Sequence, residues 1–121
     1  MRTIIAGSRT ITNYSEVEKA VNDCGWQVTE VICGGAAGVD TLGAKWANEH
    51  QVPLQYFLAD WTTHGRAAGP IRNTEMALAA DALVLVWDGK SRGSADMLNK
   101  ATAKGLKTYI YVVDEDKQNE C

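Results

Sequence analysis

Five short apolar stretches, residues 3–6, 30–33, 54–58, 82–87 and 108–113, recur along the chain, and a segment with helical spacing lies between each one and the next. Strands that are apolar nearly throughout need cover on both faces. Their alternation with helices therefore predicts a parallel sheet wound by right-handed crossovers. The helical punctuation agrees. Ser15 with Glu18 reads as a capping box and Gly25 as the stop of a first helix. Val39, Leu42, Trp46 and Ala47 form one apolar stripe of a second. Pro70 suits the first turn of a third that carries Ile71, Leu78 and Ala79, and Ser94 is placed to cap a fourth ending at Gly105.

The pattern βαβαβαβαβ predicts a single α/β domain, a Rossmann-like doubly wound five-stranded parallel sheet of order 3-2-1-4-5 with helices on both faces. In such a sheet, ligands bind beyond the carboxyl ends of strands 1 and 4, where the winding reverses. The 121 residues suffice for one core. Residues 1–113 are expected to form the domain and 114–121 an acidic tail. That tail, DEDKQNEC, carries the whole net charge of −3 and leaves the body neutral. A neutral body disfavours nucleic acid as a partner.

No apolar run approaches the roughly 18 residues of a membrane span, and MRTIIAGSRT lacks the pattern of a signal peptide, so a cytoplasmic location and no membrane partner are expected. Cys24, Cys33 and Cys121 make no C-x-x-C pair, and His50 and His64 have no carboxylate at ligand spacing. No metal and no resident cofactor are expected.

The loops after the strands are unusual. They read GSRT (7–10), GGAAGVD (34–40), ADWTTHGRAAGPIRN (59–73) and DGKSRGS (88–94), and they hold four of the five arginines, namely Arg9, Arg66, Arg72 and Arg92. Arginine offers a planar fork to phosphate or carboxylate. Glycines at a strand-to-helix turn let the backbone approach a ligand and expose amide N–H groups to an anion. From the first two loops, Gly7, Ser8, Gly34, Gly35, Ala36, Gly38 and Val39 are candidate binding residues; Asp40 would cap N–H groups or accept from a sugar hydroxyl. The third loop adds Asp60, Trp61, Gly69 and Asn73, and its length favours a ligand role or a lid. The fourth adds Asp88, Ser91, Gly93 and Ser94.

Trp61 and Trp87 stand at the ligand edge, where an indole can stack on a base, whereas Trp26 and Trp46 read as structural. G-x-G-x-x-G is absent and no acid closes the second strand, so a classical NAD oxidoreductase is not supported. GKS at 89–91 lacks the earlier glycine of a P-loop, a position held by Val84.

Across almost the whole chain and in order, GSR, GGAAGVDTLGAKWA, ADWTTHGRAAGPIRNTEM, ADALVLVWDGKSRGSADM and GLKTYIYVV resemble the YspA-type branch of the SLOG superfamily. That superfamily also contains the Lonely Guy phosphoribohydrolases and the DNA-processing protein DprA. The resemblance implies a Rossmann-like fold and a nucleotide-derived ligand of NAD, ADP-ribose or cyclic-nucleotide type, sensed, sequestered or processed. Related folds are often oligomers, so a homo-oligomer is expected; an apolar helix face bearing Trp46 or Met76 is the candidate contact, although most such faces are core.

In Lonely Guy enzymes an arginine in R-K-x-x-M acts with a glutamate in P-G-G-x-G-T-x-x-E. Arg72 to Met76 is similar to the first element, but in DGKSRGSADM, with Gly93 and Ser94 set on G-T, the final position is Met97. Asp96 is one residue off register, which on a helix turns it about 100° away. Cleavage of an N-glycosidic bond needs a carboxylate against an oxocarbenium-like state. A small-molecule binding protein is therefore the first expectation, and a hydrolase using Arg72 with Asp96 or Glu75 the alternative.

Overall fold

The computed structural model describes residues 1–113; the expected acidic tail and Cys121 lie outside the described residues. Strands β1 (Arg2–Gly7), β2 (Glu30–Cys33), β3 (Leu54–Tyr56), β4 (Ala82–Trp87) and β5 (Lys107–Val112) form one parallel sheet of order β3-β2-β1-β4-β5, as the pattern predicts. Between them lie helices α1 (Tyr14–Asp23), α2 (Val39–Glu49), the one-turn α3 (Trp61–His64), α4 (Ala68–Ala79) and α5 (Arg92–Ala103). No helix among the described residues is long and apolar enough to cross a membrane.

Strand alternation sorts the core into two layers. Ile5, Val31, Cys33, Val84 and Val86 point to α1 and α2, where they meet Val17, Val39 and Trp46. Ile4, Ile32, Leu83 and Leu85 point the other way, to Met76 and Ala77 of α4 and Met97 and Ala101 of α5. Trp46 and Met76 are thus buried in these two layers.

The edge strands depart from the apolar pattern because only one side of each is paired. β3 stops at Tyr56, and Leu58, expected inside the strand, is 70% exposed. β5 alternates between half-buried and exposed positions.

Two caps also differ from expectation. Asn13, not Ser15, caps α1 by accepting from the Ser15 amide at 3.1 Å. Ser91, not Ser94, caps α5; its hydroxyl accepts from the Ser94 amide at 3.4 Å. Both true caps sit three residues or fewer before the residue chosen from sequence, and in each case a side-chain oxygen at the earlier position reaches the first free amides. Gly25, at φ +92°, follows the end of α1 as expected. The long third loop is neither bare nor extended: α3 and a 3-10 turn, Gly65–Ala67, run directly into α4.

Candidate functional site

β1 and β4 are neighbours whose chains leave the sheet in opposite directions, and Ser8 stands in the opening. Its amide donates to the Val86 carbonyl at 3.2 Å, its carbonyl accepts from the Val39 amide at 3.2 Å, and its hydroxyl accepts from the Asp88 amide at 3.0 Å. One buried serine thereby joins the first, second and fourth loops. The Asp88 carboxylate folds back over its own turn and accepts from the amides of Lys90 at 2.8 Å and Ser91 at 2.9 Å. Those amides, with the Ser8 hydroxyl, hold it below its ordinary pKa.

The glycine-rich turn, residues 34–40, is held by contacts of its own and by Arg72. Two of its amides are already used: Ala36 donates to Asp40 Oδ2 at 3.1 Å and Val39 to the Ser8 carbonyl. The absent side chain of Gly34 makes room for Arg72, whose Nη1 donates to the Gly34 carbonyl at 2.6 Å. A Cβ on Gly34 would stand 2.8 Å from Arg72 Cζ and 2.9 Å from Asp40 Oδ2. Gly38 has φ +74°, and a Cβ there would meet the backbone of Arg9 at 2.5 Å, so this position too excludes other residues.

Asp40, in the first turn of α2, accepts from the Ala36 amide in the turn before the helix and is only 7% exposed. Burial pushes its carboxyl up to about 6 against the opposing pull of the Ala36 amide and the Arg72 and Arg9 guanidiniums. Burial likewise raises the Cys33 thiol, which donates to the Ile5 carbonyl, so this cysteine is a core residue.

From Arg72 a polar chain crosses from α4 to α5. Arg72 Nε donates to Asn73 Oδ1 at 3.1 Å, and Asn73 Nδ2 donates to Asp96 Oδ2 at 2.9 Å. Lys100, one turn along α5, donates to both Asp96 oxygens at 2.9 and 3.0 Å. Asn73 is itself buried, which fixes the order of this chain.

Arg72, Asn73 and Asp96 help to wall an inner cavity of about 490 Å³ at the carboxyl ends of β1 and β4. Of the residues expected from sequence, Gly7, Ser8, Arg9, Ala36 and Asp40 line it from the first two loops. Trp61, Gly69, Arg72 and Asn73 line it from the third, and Asp88, Ser91, Arg92, Gly93, Ser94 and Asp96 from the fourth. An outer cavity of about 450 Å³ is lined by Gly34, Gly35 and Leu58 and shares Arg9, Ala36, Trp61 and Arg72 with the inner one.

Six expected residues line neither cavity. Gly38 is the N-cap of α2 and Val39 enters the core. Asp60 caps α3, accepting from the Thr63 amide at 3.1 Å, and Arg66 is exposed on the 3-10 turn. Glu75 is exposed on α4, two residues and so about 200° round from the buried Asn73. Strand alternation turns Trp87 into the layer of Leu85, where its Nε1 has no acceptor among the described residues.

Met76, Met97 and Pro70 also line the inner cavity and were not expected there. Met76 and Met97 read in the sequence as ordinary apolar helix positions, and only the approach of α4 to α5 brings them to the wall. Lys100 had a legible signal, an acid four residues earlier at Asp96. Among the described residues no group of three or more His, Cys, Asp or Glu could hold a metal ion.

The model of the YspA, cpYpsA-related SLOG family matches residues 1–64. The Gene 61 protein of Mycobacterium phage D29 is 31% identical over 114 residues, covering 87% of this chain and 91% of that protein. Among solved structures, the X-ray structure of DNA processing protein A (DprA) from Streptococcus pneumoniae matches with a TM-score of 0.73 at 16% identity over 90% of this chain. The match takes in 49% of the DprA chain, so this chain spans about half the length of that protein, and the likeness is one of fold.

Proposed function

The chain belongs to the YspA, cpYpsA-related SLOG family, and on that premise we propose that it binds a nucleotide-derived small molecule of NAD, ADP-ribose or cyclic-nucleotide type and senses or sequesters it. The observation that carries this reading is the gathering of Arg9, Arg72 and Arg92 into one cleft of a chain whose body is neutral. Three forked cations at the point where the winding reverses suit a phosphorylated ligand. Arginine side chains, rather than the glycine-turn amides, would take the phosphates, since two of those amides have partners already. The carboxylates of Asp40 and Asp88 keep lone pairs for sugar hydroxyls, and the indole of Trp61 offers a stacking face. We place the binding unit in residues 1–113. Self-association would draw on exposed side chains such as Leu78 of α4, since Trp46 and Met76 are core.

A hydrolase of an N-glycosidic bond is the second reading, favoured by Arg72 and Asp96 lining one cavity. Against it, Asp96 has both oxygens engaged by Lys100 and one also by Asn73, the arrangement of a positioning group rather than of a free base. Mass spectrometry after hours of incubation with ADP-ribose or NAD separates the two readings. Recovery of the compound intact supports binding; appearance of nicotinamide with ADP-ribose from NAD, or of adenine with the residual ribosyl diphosphoribose from ADP-ribose, lost in Arg72→Ala, establishes the hydrolase.

A further inference from the structure

The buried carboxylate of Asp40 is compensated by two guanidiniums that the cleft also offers to a ligand. Arg72 spends its hydrogen bonds on the Gly34 carbonyl and on Asn73, yet a Cβ on Gly34 would touch both Arg72 Cζ and Asp40 Oδ2, which sets guanidinium and carboxylate no more than about 6 Å apart. They interact through space. Arg9 acts on Asp40 in the same way from the first loop, and both arginines line the inner and the outer cavity. Of the other ionisable groups around Asp40, the buried Cys33 of β2 stays a thiol because burial raises it. Asp88, Arg92 and Asp96 line the inner cavity from the fourth loop and α5; Asp88 is held ionised by its amides and Asp96 is paired with Lys100.

We infer that Asp40 is a proton-linked positioning residue: an anion seated on Arg9 and Arg72 cancels the charge that keeps the buried carboxylate ionised, and Asp40 takes up a proton from solvent as the ligand binds. This rests on the reading of the cleft as a site for a phosphorylated ligand and adds a coupling to it. Opposite charges at roughly 4–6 Å favour the ionised form of a carboxyl group, so their neutralisation leaves burial unopposed. The proton adds to a carboxylate oxygen while the Ala36 amide goes on donating to the group, and no covalent bond to the ligand forms. Once neutral, Asp40 no longer repels the anion and leaves both forks to it.

Isothermal titration of the wild-type chain with ADP-ribose, in two buffers of different ionisation enthalpy at pH 5, 7 and 8, counts the protons taken up. ADP-ribose has no terminal phosphate, so its own charge is constant over this range, whereas that of AMP changes. Because the free Asp40 carboxyl titrates at about 6, little uptake is expected at pH 5 and roughly half a proton or more per ligand at pH 7. The complex then holds more protons than the free chain, so affinity should fall as pH rises above about 6, by up to about tenfold per pH unit. Asp40→Asn keeps the shape and an oxygen for the Ala36 amide but is neutral throughout. It should bind without proton uptake, with the same affinity from pH 5 to 8, and about tenfold or more tightly than the wild type at pH 8. A purely structural role would change its affinity equally at every pH. Wild-type binding without proton uptake at pH 7, or an unaltered pH profile in Asp40→Asn, overturns the coupling and leaves the nucleotide reading standing. If neither ADP-ribose nor NAD binds the wild-type chain at any of these pH values, both fall together.

Discussion

Arg72 of α4 donates to the carbonyl of Gly34, 38 residues earlier in the chain, at 2.6 Å. This bond closes the glycine-rich turn over the cleft and holds the guanidinium where both cavities meet. Gly34→Ala should push its new Cβ against Arg72 and Asp40, displace the guanidinium and weaken ligand binding. Arg72→Ala should cost about 1.5–3 kcal/mol of stability as well, the usual worth of a hydrogen bond to a charged group. Arg72→Lys should not restore binding, because an ammonium cannot span the Gly34 carbonyl and Asn73 together. Denaturant melts and ligand titration on the three variants check this.

Ser8→Ala removes the acceptor of the Asp88 amide. A buried amide left without a partner costs about 1–3 kcal/mol, and the fourth loop, with Ser91 and Arg92, loses its tie to β1. Chemical denaturation should show that loss, and hydrogen exchange should show earlier opening at residues 88–91. Unchanged protection of those amides would contradict the assigned role.

Asp40 gives the stability a pH dependence of unusual sign. Its folded-state value of about 6 lies above that of an unfolded aspartate, so between roughly pH 4 and 6 the folded state binds more protons. Stability from this group is therefore present at low pH and lost as pH rises through about 6. Asp60 and Asp88 are lowered and act in the opposite direction as pH falls, so the informative quantity is a difference. Asp40→Asn should gain on the wild type by up to about 2–3 kcal/mol between pH 4 and 7, measured by urea melts at both values. A constant difference would place Asp40 outside the buried charge network.

Asp96→Asn breaks the ion pair with Lys100 but keeps an oxygen for Asn73. In a binding protein it should lower ligand affinity by about tenfold or less and leave the recovered ligand intact. Loss of measurable turnover in this variant would instead make Asp96 part of a hydrolytic centre.

Local spacing reveals structure where burial is complete and hides it where contacts are distant. The run ALVLVW of β4 was legible because its first five residues are fully enclosed, and the order of the strands followed from the single reversal of winding. β3 was overextended because an edge strand can end before its apolar residues do. Of the loop arginines, Arg9, Arg72 and Arg92 line the inner cavity, whereas Arg66 is exposed on the 3-10 turn. The reason for Gly34 was hidden, since a space kept for a side chain 38 residues away leaves no local mark. Trp87 and Glu75 line neither cavity for a related reason: proximity to the ligand edge says nothing of which way a side chain turns from its strand or helix.

The central claim is that arginines of this cleft hold a nucleotide-derived ligand. The most direct measurement is the thermal shift of the purified chain and of Arg72→Ala with ADP-ribose, NAD, AMP and cyclic ADP-ribose isomers, because a ligand at 100 times its Kd stabilises by about 2.7 kcal/mol. At least one compound should raise the Tm of the wild type by several degrees, and Arg72→Ala, still folded, should lose the shift. An unchanged Tm with every compound, or an equal shift in Arg72→Ala, would contradict it.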